Sequence, residues 1–472
     1  MTILPLHPAE HATPDALRAF LAQSQAAAVR DGRAKLASIS LAVDALDPLA
    51  VLESIFEPGE PHFYAERPNL ETAIAGAEPA VAFAAHGPDR FAAVERFIAD
   101  TLAHTIAVGD VEAPFGGPHF FTAFTFAAEV EVGEPFPAAQ VFVPRWQVAR
   151  AGATTTAVAN LLVTPASDLD ALAQRVWRAH GKFAQFRYRE PAPADDALPP
   201  EFTSHETGDY RAAVAGALAR IGAGEFEKIV LARAIDLRTS RPLHPLQVLN
   251  GLRQQFPECY AFSLANGRGQ SFIGASPERL VRVSRGVLET EALAGSIRRG
   301  AGASEDAALG AALLHSEKDV REQRLVLETI TGRLAQHGLK VEHPAQPGLR
   351  RLANVQHLHT PVRADLGDQV SLLTALSWLH PTPAVGGTPV AAAVARIREL
   401  EGFPRGLYAG AIGWINARGG GEFLVGIRSA LVDGATARVY AGAGIVAGSN
   451  PEKEFAETEL KFRAMLDALR RP

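Results

Sequence analysis

Val439-Tyr-Ala-Gly-Ala-Gly-Ile-Val-Ala-Gly-Ser-Asn-Pro-Glu-Lys-Glu-Phe-Ala-Glu-Thr-Glu-Leu-Lys461 is the stretch from which the rest of the chain can be read. An extended segment runs into a glycine-rich turn, and the turn opens a helix. Ser449 and Glu452 have capping-box spacing, and Pro451 suits a first helical turn. Glycines let backbone N–H groups approach an anion, and a helix start adds a positive field. Glu454 and Glu457 lie on one helical face, with Lys461 a turn further on. One short segment can thus offer an anion cradle, carboxylates for a hard metal and a cation. That set suits a carboxylated small molecule held with Mg²⁺.

Working outward, the 472-residue chain is 47% hydrophobic and 21% charged, an ordinary globular composition with enough length for a sizeable core. A net charge of −6 and the lack of a long Lys/Arg run argue against a nucleic-acid binder. The single Cys259 excludes an intrachain disulfide and a cysteine-based zinc cluster, and reads as a small buried hydrophobe. The N-terminus lacks a basic region followed by an apolar one, and no apolar run is long enough to span a bilayer. The expectation is a cytoplasmic protein with no membrane partner.

The clearest break in composition is Glu190-Pro-Ala-Pro-Ala-Asp-Asp-Ala-Leu-Pro-Pro200, read as an extended surface connection. It separates residues 1–200, a largely scaffolding part, from residues 201–472, which carry the chemistry. The two are expected to form one intertwined domain. Upstream, Glu129–Val143 and Ala151–Val163 read as strands and Leu169–Phe186 as an amphipathic helix. Downstream, Asp209–Gly222 reads as helix, and Lys228–Leu237, Ser271–Ile273 and Leu280–Val283 as strands. Ser316–Gln336 is a helix with Ser316 as N-cap. Leu407–Ile415 and Glu422–Leu431 flank the turn Asn416-Ala-Arg-Gly-Gly-Gly421, a hairpin signal, and Arg438–Val446 adds a strand. Strands grouped between helices, without strict βαβ alternation, favour an α+β fold with large antiparallel sheets.

Several positions carry candidate chemistry. In Phe226-Glu-Lys-Ile-Val-Leu-Ala-Arg233, Lys228 shares a strand face with Phe226, Val230 and Ala232. Desolvation there would lower its pKa and make a general base, although a snorkelling lysine is the commoner case for a strand alone. Gly274-Ala-Ser-Pro-Glu278 is a turn that can aim Glu278 into a cleft, where burial raises a carboxyl's pKa and makes a general acid. Asp319 and Glu322 share a face of an acidic first helical turn, which the helix dipole also favours without any function. Thr290-Glu-Ala-Leu-Ala-Gly-Ser296 reads as small and turn-rich. Arg428, inside an apolar strand, needs a partner, either a ligand carboxylate or an internal salt bridge. His357 is, on its own, a structural histidine.

Together and in order, these segments are more specific. Lys-Ile-Val-Leu-Ala-Arg, Gly-Ala-Ser-Pro-Glu, Ala-Leu-Ala-Gly-Ser, Ser-Glu-Lys-Asp with Glu322 behind it, His-Leu-x-Thr-Pro, His380-Pro-Thr-Pro-Ala-Val-Gly-Gly387 and Ala441-Gly-Ala-Gly-Ile-Val resemble the chorismate-utilising enzymes. The resemblance covers roughly 200–469.

It implies two packed antiparallel sheets flanked by helices, with the site in a cleft between them. It implies chorismate as substrate, Lys228 as the base that activates water, and Glu278 as the acid for the departing C4 hydroxyl. Glu322 and Glu457 match the magnesium carboxylates, with Glu454 acting through water. Some relatives carry a glutamate where this chain has the shorter Asp319, which leaves a direct metal contact there in doubt. Arg428, Lys461 and the backbone at Gly442 would hold the enolpyruvyl carboxylate. Gly295 and Ser296 would floor the ring, and His357 and Thr360 match a segment beside the ring carboxylate.

Three features point to the isochorismate-forming members that use water. Ala384 stands where ammonia-using and salicylate-forming relatives carry threonine. Lys228 is present, and no N-terminal leucine-rich acidic regulatory motif is visible. An autonomous Mg²⁺-dependent isomerase with no glutaminase subunit is therefore expected, in menaquinone or siderophore biosynthesis. A salicylate-forming lyase and an ammonia-using synthase component are the alternatives.

Overall fold

The computed structural model describes residues 1–3, 14–184, 201–367 and 370–470. The Pro-rich stretch 190–200 and the end of the helix expected to reach Phe186 lie outside them.

Strands from both halves of the chain pair with one another. One sheet runs Phe202–Thr207, Lys228–Thr239, Thr436–Val446, Ser429–Asp433, Gln270–Ser276, Tyr260–Asn266, Pro61–Arg67, Thr72–Ala85 and Ala139–Ala151, each antiparallel to the next. Ala139–Ala151 then serves two neighbours on its other edge. Its first part pairs with His119–Phe124, which leads through Ala411–Asn416, Gly421–Val425, Arg279–Ser284 and Val287–Arg298 to Val355–Asp365. Its second part pairs with Thr154–Val163, which continues to Lys35–Val43. Among the described residues the parallel pairings are confined to the strand Thr105–Gly109, which lies between Thr2–Ile3 and Lys35–Val43.

The two antiparallel layers face each other across an aromatic core. Phe63 of the first stacks on Phe121 of the second, centroids 4.4 Å apart. Eleven α-helices among the described residues cover the outer surfaces and ends. The fold is α+β with large packed antiparallel sheets, as its strand grouping suggested.

Local chemistry explains most element ends. Asp209 caps Tyr210–Gly222, and Ser316 caps Glu317–Gln336 through the Asp319 N–H. The C-terminal helix Pro451–Arg470 is capped differently from the expectation. Asn450 Oδ1 accepts from the N–H groups of Glu452 and Lys453, whereas Ser449 Oγ turns back to the Val446 N–H. The expected strand over Glu129–Val143 begins only at Ala139, because Gly133, Pro135 and Pro137 interrupt it.

Three further corrections bear on the site. Glu422–Leu431 is two strands, split at Gly426-Ile-Arg428, with Arg428 at φ +50°. Thr290–Ser296 is not a loop; it lies within Val287–Arg298 and bulges at Gly295, φ +71°. Gly442 and Gly444 belong to the strand Thr436–Val446 and not to a turn. There they leave clearance: a Cβ on Gly442 would sit 2.8 Å from the Tyr408 hydroxyl.

Candidate active site

Lys228 opens a strand buried on both faces, opposite Val446 and Thr388. Its side chain has no exposed surface, and Nζ stands 2.9 Å from Glu322 Oε1. The contact is a charge pair without hydrogen-bond alignment, so the ammonium donors have no acceptor among the described residues. The helix Glu317–Gln336 brings Glu322 across to this strand, and the bare Cα of Gly444 makes room for its carboxylate beside Lys228 Cε.

Glu322 also lines a cavity. Its walls carry Glu278, Gly295, Ser296, His357, Ala384, Arg428, Gly442, Glu457 and Lys461. Lys228 lies just behind that wall, reaching it through Glu322.

Glu278 follows Pro277 in the gap between two strands, which ends regular pairing and frees its side chain to enter the cavity. Its carboxyl is buried and has no hydrogen-bond partner among the described residues. Burial pushes its pKa up to about 8, with the charge of Glu291 adding to the rise and Lys228, Arg350 and Lys461 opposing it. A carboxyl in that range is protonated at neutral pH and can donate.

Arg428, His357, Ser296 and Gly295 form a chain of contacts. Arg428 Nη2 donates to His357 Nε2 at 2.9 Å. Because a guanidinium only donates, Nδ1 of His357 carries the proton. It lies 2.9 Å from Ser296 Oγ and 3.3 Å from the Gly295 carbonyl. Burial, then the charges of Arg428 and Lys461, hold His357 well below the usual histidine range, so the ring is neutral. Arg428 Nη1 is buried and without a partner among the described residues. Of the two readings open for this arginine, an internal salt bridge is absent among the described residues. Its Nη1 is thus a buried donor open to a further partner. Lys461 stands 2.8 Å from both the Gly442 carbonyl and Glu457.

Two expected positions fall elsewhere. Thr360 is buried and accepts from Gln323 Nε2 at 2.7 Å, outside the cavity wall, because the helix Glu317–Gln336 packs on that face of its strand. Glu454 is buried against Lys318, Nζ to Oε1 2.8 Å, and does not reach the wall either.

Sequence reasoning missed other wall residues: Val230, Leu293, Tyr408, Ile427 and Tyr440. Tyr408 had a signal. It is an aromatic in Arg405-Gly-Leu-Tyr-Ala-Gly410, where flanking glycines free the backbone to place it. The buried Arg405 props this wall, donating to the carbonyls of Val385 and Val230 at 2.8 and 2.7 Å while paired with Glu401.

A larger cavity of about 670 Å³, lined by Glu134, His205, Asp236 and Arg438 among others, shares only Tyr440 with this one and contains none of the acid, base or anion-binding positions.

Asp319 is raised by burial and, against the Ser316 hydrogen bond, by the charges of Glu322 and Glu457, so three acids share one field. Among the described residues, however, no three His, Cys, Asp or Glu side chains gather closely enough to hold an ion unaided. Glu322 and Glu457 fit the magnesium mode in which one or two carboxylates are completed by ligand oxygens and water.

Comparison with known proteins places this geometry in a family. Residues 21–470 match the family model described as chorismate binding enzyme. The chain is 37% identical to the salicylate biosynthesis isochorismate synthase of Pseudomonas aeruginosa, over 99% of this chain and 96% of that protein. It is 33% identical to the isochorismate synthase MenF of Bacillus subtilis, over 92% and 94%. Its structure resembles MenF from Escherichia coli with a TM-score of 0.77 at 28% identity, covering 95% of this chain and 99% of that one. The chain belongs to the chorismate binding enzyme family.

Proposed function

We propose that the chain is an isochorismate synthase that converts chorismate to isochorismate with Mg²⁺. One observation carries the reading: a buried, partner-free carboxyl at Glu278, protonated to about pH 8, shares a cavity with the carboxylate that faces the buried Lys228 amine. Acid–base chemistry needs an acid and a base facing one site, and burial keeps the proton on the acid, Glu278, at neutral pH.

In this reading Arg428, through its free Nη1, and Lys461 hold the enolpyruvyl carboxylate. Glu322 and Glu457 hold Mg²⁺, which supplies charge neutralisation at the ring carboxylate when bound. Lys228, as the amine, takes a proton from water. The water oxygen bonds to C2, the ring double bonds shift, and the C4–O bond breaks. Glu278 gives its proton to the departing hydroxyl, which leaves as water. One water enters and one leaves, so the net change is isomerisation. Ala384 lends the wall no hydroxyl that could retain ammonia. No glutaminase subunit is required, and residues 1–200 act as scaffold within one intertwined domain with residues 201–472.

The test is incubation of the purified chain with chorismate and Mg²⁺, followed by chromatographic separation of products. Isochorismate is expected without ammonia or a second protein. Salicylate with pyruvate would make the chain a lyase, and an ammonia-dependent aminated product would make it a synthase component. Supply of menaquinone is the pathway proposed. The E. coli structure named for that role covers 95% of this chain, and the B. subtilis relative that shares its name, MenF, is similar over 92% of it. Restored menaquinone in a strain lacking its own enzyme checks it; restoration only of catecholate siderophore or salicylate would reassign the pathway.

A further inference from the structure

The Glu278 carboxyl is free, yet the peptide on either side of it is held by one pair, a buried Glu291 and a half-buried Arg350. The Arg279 N–H donates to Glu291 Oε1 at 2.9 Å. Arg350 donates to the Pro277 carbonyl at 3.0 Å and forks onto both oxygens of Glu291 at 2.6 and 2.8 Å. His359 Nε2 closes the group, 3.0 Å from Glu291 Oε2 and 2.9 Å from Arg350 Nη2. Glu291, Arg350 and His359 come from three adjacent strands, Val287–Arg298, Gly348–Arg351 and Val355–Asp365. A partly buried ion pair is weak evidence of stabilisation in itself. The informative point is its position: both backbone contacts fall on the immediate neighbours of Glu278.

We propose that Glu291 and Arg350 form a clamp that positions the Glu278 carboxyl in the cavity and sets the pH range over which it keeps its proton. Both are positioning residues for proton delivery to the leaving hydroxyl. The inference rests on the acid role given to Glu278 above.

The charges bear this out. Burial pushes Glu291 up, but the hydrogen bond from His359 and the charge and fork of Arg350 outweigh it and hold Glu291 at about 2. Glu291 is therefore a fixed anion behind Glu278, and Arg350 a fixed cation balancing it. The other groups acting on Glu278 are Lys228 from its strand and Lys461 from the C-terminal helix. Tyr408, from the segment before Ala411, lies close enough to feel the Glu278 charge, and burial raises its hydroxyl so that it stays neutral. Glu322, Glu457, His357, Arg428 and Tyr440 complete the titratable lining. Removing the anion leaves Arg350 unbalanced beside Glu278 and favours its ionised form. Removing the cation does the opposite.

Infrared titration of the full-length protein reads the Glu278 carboxylic C=O stretch directly, without substrate. The band is assigned by its loss in Glu278→Gln. The wild-type midpoint is expected near 8. Glu291→Gln, which keeps an acceptor for the Arg279 N–H, should lower it by about one pH unit or more, and Arg350→Gln should raise it by a similar amount. Arg350→Lys, which keeps the charge but not the fork, should leave the midpoint in place while turnover falls about tenfold or more. Midpoints unmoved in Glu291→Gln and Arg350→Gln, with native circular dichroism, would overturn the clamp. If Arg350→Gln does not fold, an unmoved Glu291→Gln midpoint is enough to do so. Midpoints that move as stated while Glu278→Gln retains turnover would leave the clamp standing and remove the acid role instead.

Discussion

Lys228 Nζ and Glu322 Oε1 stand 2.9 Å apart with no hydrogen-bond alignment, and no other acceptor serves the amine among the described residues. Lys228→Ala should lower turnover of chorismate by about two to four orders of magnitude, the range for a general base. Circular dichroism should be unchanged. Near-normal turnover would remove Lys228 from the chemistry.

Glu278 gives a pH dependence whose sign can be worked out. Its carboxyl ionises near 8 in the fold, against 4.5 for an ordinary glutamate. Between those values the native state binds a proton that the unfolded state has released, so stability falls as pH rises from about 4.5 through about 8. The same ionisation removes the acid, so kcat/KM should fall above about pH 8. Glu278→Gln should abolish turnover and flatten the stability decline, gaining on the order of a few kcal/mol over wild type near pH 8.5. Denaturant unfolding across the pH range measures the second effect. A variant whose stability falls as steeply as the wild type would show that Glu278 is not the titrating group.

Much of this site was legible because it rests on local rules. The Ser316 cap, the buried strand at Lys228 and the strand-break at Pro277 each follow from a few neighbouring residues. What stayed hidden depends on partners distant in sequence. Tyr408, in the turn before Ala411, is a wall residue only because Gly442, on a strand distant in sequence, lacks a Cβ. Thr360 matched a motif, but its hydroxyl accepts from Gln323 of a packed helix, a partner 37 residues away that no local pattern announces. Alternation could not foresee that Gly426 breaks the strand and turns Arg428 into a left-handed conformation. The fold itself was readable from the grouping of strands, whereas the crossover of Ala139–Ala151 between both layers was not, since pairing partners leave no local trace.

Arg428 should act on binding more than on chemistry. Its Nη2 is spent on His357 and its buried Nη1 has no partner among the described residues. An unmet buried donor facing a carboxylate contributes about 1.5–3 kcal/mol as a charge-assisted bond. Arg428→Gln should therefore raise KM for chorismate about ten- to a hundredfold with a smaller change in kcat. A variant with lowered kcat and unaltered KM would move this arginine from ground-state binding to the transition state.

Gly444 tests the acidic wall without replacing a charged residue. A Cβ built there falls on Glu322 Oε1 and within 3.1 Å of Lys228 Cε. The strand pairing opposite Val230 fixes the backbone, so the glycine cannot retreat. The Glu322 side chain must swing away instead, and with it go one proposed magnesium carboxylate and the counter-charge of Lys228. Gly444→Ala should thus raise the Mg²⁺ concentration needed for half-maximal activity and lower turnover about a hundredfold, the cost of misplacing reacting groups by roughly an ångström. Because φ at Gly444 is not left-handed, the backbone accepts alanine and the fold should persist. Calorimetric Mg²⁺ binding in the presence of chorismate reads the first effect apart from catalysis. Unchanged Mg²⁺ affinity in a folded Gly444→Ala protein would place the metal away from Glu322.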